Sequence, residues 1–293
     1  MATGVAVTGL QALSAIQLFV VISAALLPLV VFLNKTWRFY MKYFLYNWCY
    51  MIMGVLVVPF TLIKPGDINN TRWPSLFVKH TLKYLFGIKL HLRHTERLEL
   101  HDTYVIVCNH QSTIDHLAMM EIWPQRCTVI MKKTLKYAGA FGLAAILCGV
   151  IFVDRDNKSQ ANSALNDTGE TMKKKKARVW IFPEGTRRME RTSHEPMLPF
   201  KKGAFNLAVS AQVPIVPVVF SSQSSFFSFK DKEFTRGEHT VTVLDPVLTA
   251  GRTLEDVPQL TEEIRQQMID VFEETSTSPC EDQIEQNKDA KEN

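Results

Sequence analysis

The stretch from Tyr104 to Asp115, YVIVCNHQSTID, restricts the fold of this chain more than any other. Tyr104 to Cys108 is a short β-branched run without polar alternation. That is the pattern of a strand covered on both faces, as in parallel sheets flanked by helices. The run stops at Asn109-His110. Ser112 and Asp115 then have the spacing of a capping box, in which each side chain satisfies a backbone donor of the first helical turn. A strand that passes through a short polar turn into a helix is where open α/β sheets place their chemistry. His110 and Asp115 are therefore the first candidate functional pair.

The remainder of the body alternates in the same way. Strand patterns occur at Ile88 to Leu92, Cys127 to Met131, Val150 to Val153, Val179 to Phe182, Val213 to Phe220 and His239 to Leu244. Helical patterns lie between them, at Trp73 to Phe86, His116 to Ile122, Gln160 to Lys176 and Ala204 to Ala211. Leu260, Ile264, Met268 and Val271 or Phe272 mark an amphipathic final helix. The fold class expected is α/β, a mostly parallel mixed sheet flanked by helices, with an antiparallel portion near its end. Pro214 and Pro217 put the Val213 to Phe220 strand at an edge, or leave it paired over part of its length, because proline cannot donate to a ladder. Tyr137 to Val153 is apolar enough to suggest a membrane span. Its three glycines and the β-branched run at its end predict a buried helix followed by a strand instead.

The N-terminus is different. No charged side chain precedes Lys35, and Leu13 to Leu33 is apolar or small apart from Gln17. At about 1.5 Å per residue it is long enough to cross a hydrocarbon core of roughly 30 Å. It lacks the basic start of a signal peptide, so a retained membrane helix is expected, with Pro28 tolerated inside it. A second uncharged run, Tyr43 to Ile63, carries aromatics near its start, as a membrane interface favours. Two spans and a hairpin within one leaflet both fit. The basic residues on either side give conflicting votes on orientation. Lys64-Pro65-Gly66-Asp67 breaks the apolar pattern. The expected organisation is an anchor of one or two helices at 1–66, a body at 67–274, and a polar, acidic, disordered tail at 275–293.

Bulk properties narrow the partners. The net charge of +4 is too mild for a nucleic-acid binder and suits work beside anionic lipid or on a phosphorylated substrate. The five cysteines show no metal spacing, and His91 with His94 lacks a third ligand, so no metal is expected. The basic run Lys173 to Lys176 reads as a solvated helix end ahead of a lipid contact.

On a continuous helix His110 and Asp115 would point about 140° apart. With His110 in the turn and Asp115 at the third helical position, the carboxylate can fold back and orient the imidazole. The result is a general base, unless Asp115 is only a cap. A second constellation follows the strand at Val179: Glu184-Gly185-Thr186-Arg187. Gly185 allows close backbone approach, Arg187 offers a fork for phosphate, and Glu184 accepts from a hydroxyl or holds Arg187. Lys201 and Lys202 are further phosphate candidates. A base without a serine or cysteine nucleophile candidate beside it suggests that the substrate itself supplies the nucleophile. The cations suggest that this substrate carries phosphate, and the anchor suggests a lipid.

Four blocks in order then resemble the 1-acyl-glycerol-3-phosphate acyltransferases: Asn109-His110-Gln111-Ser112 with Asp115, Gly149 to Arg155, Phe182 to Arg187, and Val213 to Pro217. The resemblance spans about Tyr104 to Phe272. It implies the glycerolipid acyltransferase fold on a membrane-embedded helical pair. His110 would be the base, oriented by Asp115, acting on the sn-2 hydroxyl of lysophosphatidic acid. That oxygen would attack an acyl-CoA thioester, giving phosphatidic acid and free CoA without an acyl-enzyme. Glu184 to Arg187 would bind the glycerol phosphate, with Arg155, Lys201 and Lys202 in support and Gly149 and Phe152 shaping the site. Acyl-CoA enters as a co-substrate, and no cofactor is implied. The implied location is the endoplasmic reticulum membrane, as an integral protein. Arg188 to Arg191 and Asp156-Asn157 depart from the family's usual loops. Glycerol 3-phosphate or another lysophospholipid as acceptor, and a non-catalytic lipid-binding protein, are the competing readings.

Overall fold

The computed structural model describes residues 14, 16–23, 26–27, 32–154, 168–188 and 196–276. Its strands are β1 (Ile88–Arg93), β2 (Val105–Cys108), β3 (Cys127–Lys132), β4 (Ile151–Val153), β5 (Arg178–Ile181), β6 (Ile215–Phe220), β7 (Phe227–Ser228), β8 (Glu233–Phe234) and β9 (Gly237–Val243). Seven of them form one sheet in the order β1-β9-β6-β2-β5-β3-β4, and β7 pairs with β8 as a separate hairpin. Every neighbouring pair in the large sheet is parallel except β6 with β9. The sheet is thus mostly parallel with a late antiparallel pair, and β2 lies at its centre.

The β-branched run of β2 is buried without residue, and its two faces enter different cores. Val105 and Val107 pack toward Ala204, Phe205 and Leu260. Ile106 and Cys108 pack toward Ala118, Met119 and Trp180. The first set belongs to the helices at Gly203–Ala211 and Val257–Ser276, the second to the helix at Asp115–Glu121 and to β5. Helices on both faces are what a strand with no polar face demands.

In chain order the helices are α1 (Lys35–Thr61), α2 (Arg72–Phe77 continued by a π-helical Val78–Leu82 and Lys83–Phe86), α3 (Asp115–Glu121), α4 (Gly139–Leu147), α5 (residues 168–175), α6 (Gly203–Ala211) and α7 (Val257–Ser276). The apolar stretch at Tyr137 resolves into the short helix α4 followed by β4, as its glycines predict. α7 runs two residues into the stretch assigned to the tail, and the remainder of the tail lies outside the described residues, as does the first part of the helix expected from Gln160.

The proline-containing strand corrects one expectation. β6 is not at an edge: it sits between β9 and β2. The partial-pairing alternative describes it better, because its antiparallel register with β9 covers only Val218 to Phe220. Pro217 contributes the one group it has, a carbonyl that accepts from the Leu244 N–H at 2.9 Å.

α1 contains most of the second apolar run and is long and apolar enough to cross a membrane by length and composition. It nevertheless packs on the body along its length. Phe39, Tyr46, Cys49, Met53, Val57 and Thr61 form a buried stripe at helical spacing. Phe39 meets the ring of Phe229 from the β7–β8 hairpin, and Tyr46 meets those of Phe86 and Phe234. The opposite face leaves Trp37, Phe44, Trp48, Val55 and Phe60 exposed. Of the first apolar segment, residues 16–23 are helical and several positions around Pro28 lie outside the described residues.

The break at Lys64 is a packed corner. The Asn70 side-chain amide lies within hydrogen-bond distance of the carbonyls of Thr61, Lys64 and Leu147. The Gly66 N–H donates to the Leu147 carbonyl at 2.9 Å. At the helix crossing, a Cβ on Gly54 would stand 2.7 Å from the backbone of Ala140 in α4. Gly54→Leu should therefore push α1 off α4 and cost about 1–3 kcal/mol. Thermal unfolding in detergent checks this, and an unchanged midpoint would show that the crossing contributes nothing to the fold.

Candidate active site

Parallel pairing decides which residues meet. β2, β3, β5 and β6 all end at the same edge of the sheet, so the turns that follow them are neighbours. The turn after β2 carries His110. It is flanked on one side by the Phe182-Pro183-Glu184 loop after β5 and on the other by Ser221 to Gln223 after β6.

Within the turn, His110 Nδ1 lies 2.6 Å from Asp115 Oδ2. The same carboxylate oxygen accepts from the backbone N–H groups of Gln111 at 2.7 Å and Ser112 at 3.1 Å. Asp115 Oδ1 accepts from Gln223 Nε2 at 2.5 Å. The capping box is half formed. Asp115 reaches back to the Ser112 N–H, but Ser112 Oγ accepts from Ile114 N at 2.9 Å, and the helix proper starts at Asp115. The carboxylate thus performs the capping contact and holds the imidazole at once.

Asp115 is completely buried. Burial opposes its ionisation, yet the hydrogen bond and charge of His110 and the Gln111 N–H outweigh this and hold it below the usual carboxylate range. An ionised carboxylate only accepts, so Nδ1 carries the hydrogen and Nε2 is presented as an acceptor. In this structure Arg187 Nε donates to Nε2 at 3.3 Å. The Phe182 ring stacks on the imidazole with centroids 4.0 Å apart, fixing its plane.

The Glu184 block has a different division of labour from the one the sequence suggests. Glu184 is buried and does not face the cavity beside His110. Its Oε1 accepts from the His110 backbone N–H at 2.8 Å and its Oε2 from the Leu198 N–H at 3.0 Å. The Arg188 N–H donates to the His110 carbonyl at 3.1 Å, so the loop grips His110 by both backbone groups. Gly185 has φ of +73°, and a Cβ there would stand 2.8 Å from Lys201 Nζ. Only glycine lets Lys201 lie over the loop.

A cavity of about 510 Å³ opens in front of Nε2, lined among others by His110, Gly185, Thr186, Arg187 and Lys201. Lys132, from the end of β3, also lines it and was given no role from sequence, although its strand order would have placed it there. Among the described residues lining the cavity are three cations and no carboxylate, the electrostatics of an anion site. Lys202 does not line it; it is exposed at the start of α6. Arg155 lies outside the described residues. Gly149 and Phe152 do not line it either: Gly149 packs against Gly66 at the corner, and Phe152 joins the core. A second, mostly apolar cleft of about 420 Å³, lined by Phe44, Trp48 and Phe141, shares His116, Leu135 and Arg187 with the first. Among the described residues no group of three or more His, Cys, Asp or Glu is placed to hold a metal ion.

The comparisons with known proteins agree with this architecture. Residues 89–221, which span both turns, match the Acyltransferase family. The chain is 42% identical over 252 residues to human 1-acyl-sn-glycerol-3-phosphate acyltransferase alpha, covering 86% of this chain and 87% of that one. It is 42% identical over 258 residues to the human beta form, covering 87% and 91%. In fold it is similar to the crystal structure of the 1-acyl-sn-glycerophosphate acyltransferase PlsC from Thermotoga maritima. That match has a TM-score of 0.62 at 19% identity and covers 83% of this chain and 97% of that one. The fold is therefore that of an acyltransferase. The chain belongs to the 1-acyl-sn-glycerol-3-phosphate acyltransferase family, a family of enzymes.

Two further histidines set a limit on acid stability. Burial pushes His116 down to about 3, helped by the nearby Arg187 charge, and pushes His239 down to about 4. Both rings are neutral in the fold at pH values where an unfolded histidine, near 6.5, takes a proton. Below that value the unfolded state binds more protons, so stability falls as pH falls. For His239 the full effect is on the order of 3 kcal/mol. Denaturant titrations between pH 7 and pH 4 should show the loss, and His239→Gln should reduce its slope. An identical slope in that variant would remove His239 from the account.

Proposed function

We propose that the chain transfers an acyl group from acyl-CoA to the sn-2 hydroxyl of 1-acylglycerol 3-phosphate, releasing phosphatidic acid and CoA. The observation that carries this reading is a histidine held by a buried carboxylate, with its second nitrogen facing a cavity lined by three cations. His110 Nε2 takes the hydroxyl proton as the oxygen attacks the thioester carbonyl. Asp115 stabilises the imidazolium that forms, and the proton then leaves with the CoA thiolate. A positioned general base of this kind contributes about 10²–10⁴-fold.

Arg187, Lys201 and Lys132 receive the phosphate of the acceptor. In the structure Arg187 covers Nε2, so acceptor binding has to draw the guanidinium toward phosphate and leave the nitrogen to the hydroxyl. Thr186 and the backbone of Gly185 line the same wall. Glu184 acts from behind, through the His110 backbone. No cofactor takes part; the acyl donor is a co-substrate.

The apolar cleft beside Arg187 suits hydrocarbon from a lipid substrate. Its α1 wall belongs to the helix whose outer face is apolar and exposed, so the reading places the protein against a bilayer with α1 lying along the lipid surface. The buried stripe that packs α1 on the body from Phe39 to Thr61 supports in-plane seating. The family resemblance points to the endoplasmic reticulum as the membrane concerned, which imaging of a tagged chain with an organelle marker tests.

Purified protein should release CoA thiol with acyl-CoA and lysophosphatidic acid, and far more slowly with glycerol 3-phosphate or lysophosphatidylcholine. Preference for either of those acceptors would reject the substrate named here. His110→Ala should lower turnover by about 10²–10⁴-fold with membrane binding intact. Arg187→Lys should raise KM for the phosphorylated acceptor by about tenfold or more through loss of the bidentate fork. Unchanged KM with reduced kcat would instead assign Arg187 to the imidazole alone.

A further inference from the structure

We infer that Gln223, in the loop after β6, is a positioning residue for Asp115 and completes a relay that runs from Ser112 to His110. The inference rests on His110 acting as the base. Gln223 is 3% exposed and belongs to none of the motifs that the sequence singles out. Its Nε2 donates to Asp115 Oδ1 at 2.5 Å, and its Oε1 accepts from Ser112 Oγ at 2.5 Å.

The amide orientation follows from its neighbours. A carboxylate can only accept, so the NH₂ end faces Asp115. Ser112 Oγ already accepts from Ile114 N, which leaves its hydrogen for Gln223 Oε1. The backbone is fixed as well: Gln223 N–H donates to Gln111 Oε1 at 3.3 Å, and its carbonyl accepts from Phe227 N at 2.8 Å. The glutamine thus locks the second carboxylate oxygen while the turn locks the first. Without it a fully buried oxygen would lose a donor and the carboxylate would gain freedom to rotate away from Nδ1. Misplacement of such a group by about 1 Å can cost about 10² in rate.

Gln223→Met keeps the length and removes both hydrogen bonds. Gln223→Glu keeps the shape, but it can donate to Asp115 only while protonated, because two facing carboxylates cannot both ionise cheaply. The other charged or titratable groups near the pair are Glu184 and Arg187 after β5, Lys201, His116 on α3, His239 on β9 and Tyr46 on α1. All are shared with the unaltered protein, so each profile is read as a difference.

The expected result for Gln223→Met is a kcat lower by about 10–100-fold, with KM for both substrates within about twofold. For Gln223→Glu it is activity that falls with rising pH between about 6 and 8, where a histidine base makes the unaltered enzyme rise. A Gln223→Met enzyme with full kcat, or a Gln223→Glu profile parallel to that of the unaltered enzyme, would overturn the inference. If Gln223→Met does not fold, the Gln223→Glu profile alone decides. A substrate-free readout separates this inference from the function proposed above: ethoxycarbonylation of His110 by diethylpyrocarbonate, followed by peptide mass spectrometry. At pH 6.5 it should be faster in Gln223→Met, since a carboxylate free to rotate away from Nδ1 holds the imidazolium less and leaves more of the ring neutral. An unaltered enzyme inactive on lysophosphatidic acid would reject the proposed function, whereas an unchanged modification rate in Gln223→Met would reject the relay.

Discussion

A carboxylate sealed from water has to find a donor for each oxygen, and Asp115 places that demand at the centre of the molecule. Its four donors come from His110, Gln111, Ser112 and Gln223. Three are supplied by one tight turn, and the fourth arrives from more than a hundred residues away. The turn has its shape because three groups converge on one side chain. The loop after β6 is tied to it by Asn109 and Gln111 as well: the Asn109 amide bonds both backbone groups of Phe220. The carboxylate is therefore satisfied only when the sheet around β2 is complete.

The same constraint explains why a helix with an exposed apolar face is bound into the catalytic body. Tyr46 of α1 donates from its hydroxyl to the Thr113 carbonyl at 2.9 Å, inside the turn that begins α3. Phe226 and Phe227, which follow the Gln223 loop, bury against α1 residues and the β7–β8 hairpin. Lys35 and Lys42 fasten that hairpin through Glu233 and the Phe234 carbonyl. The site and the apolar helix are joined through shared packing, without a flexible tether between them.

Much of this was legible in the residues. The β-branched run at Tyr104 announces a strand covered on both faces, and the Ser112–Asp115 spacing announces a carboxylate that returns to its own turn. The Arg187 block falls beside His110 because β5 pairs with β2. What stayed hidden is long-range. Periodicity cannot say that β6 lies on the other side of β2, so Gln223 and its serine-rich surroundings read as an ordinary loop. Two prolines left an edge strand and a partly paired one both open, and they govern only the donors of β6: with one carbonyl still usable at Pro217, an interior strand pairs partially on its antiparallel side. Glu184 looked like a ligand because it sits beside Gly185, whereas the backbone N–H of a buried turn competes for the same carboxylate and wins. An apolar run of membrane length likewise cannot report that one of its faces belongs to a protein core.

That last point bears on how a lipid substrate would meet the site. An amphipathic helix can lie at a lipid surface with one face on protein and the other in the apolar layer. α1 commits Phe39 to Thr61 to the body and leaves the aromatic face of Phe44 and Trp48 outward. Those two side chains also line the cleft that shares Arg187 with the cation-lined cavity. An outward face and a cleft wall built from the same residues put the cleft mouth at the level of the apolar surface. On the proposed reading, an acceptor could then keep its chain in hydrocarbon while its headgroup reached the cations. The charged head need never enter an apolar interior, and the chain need never be exposed to water.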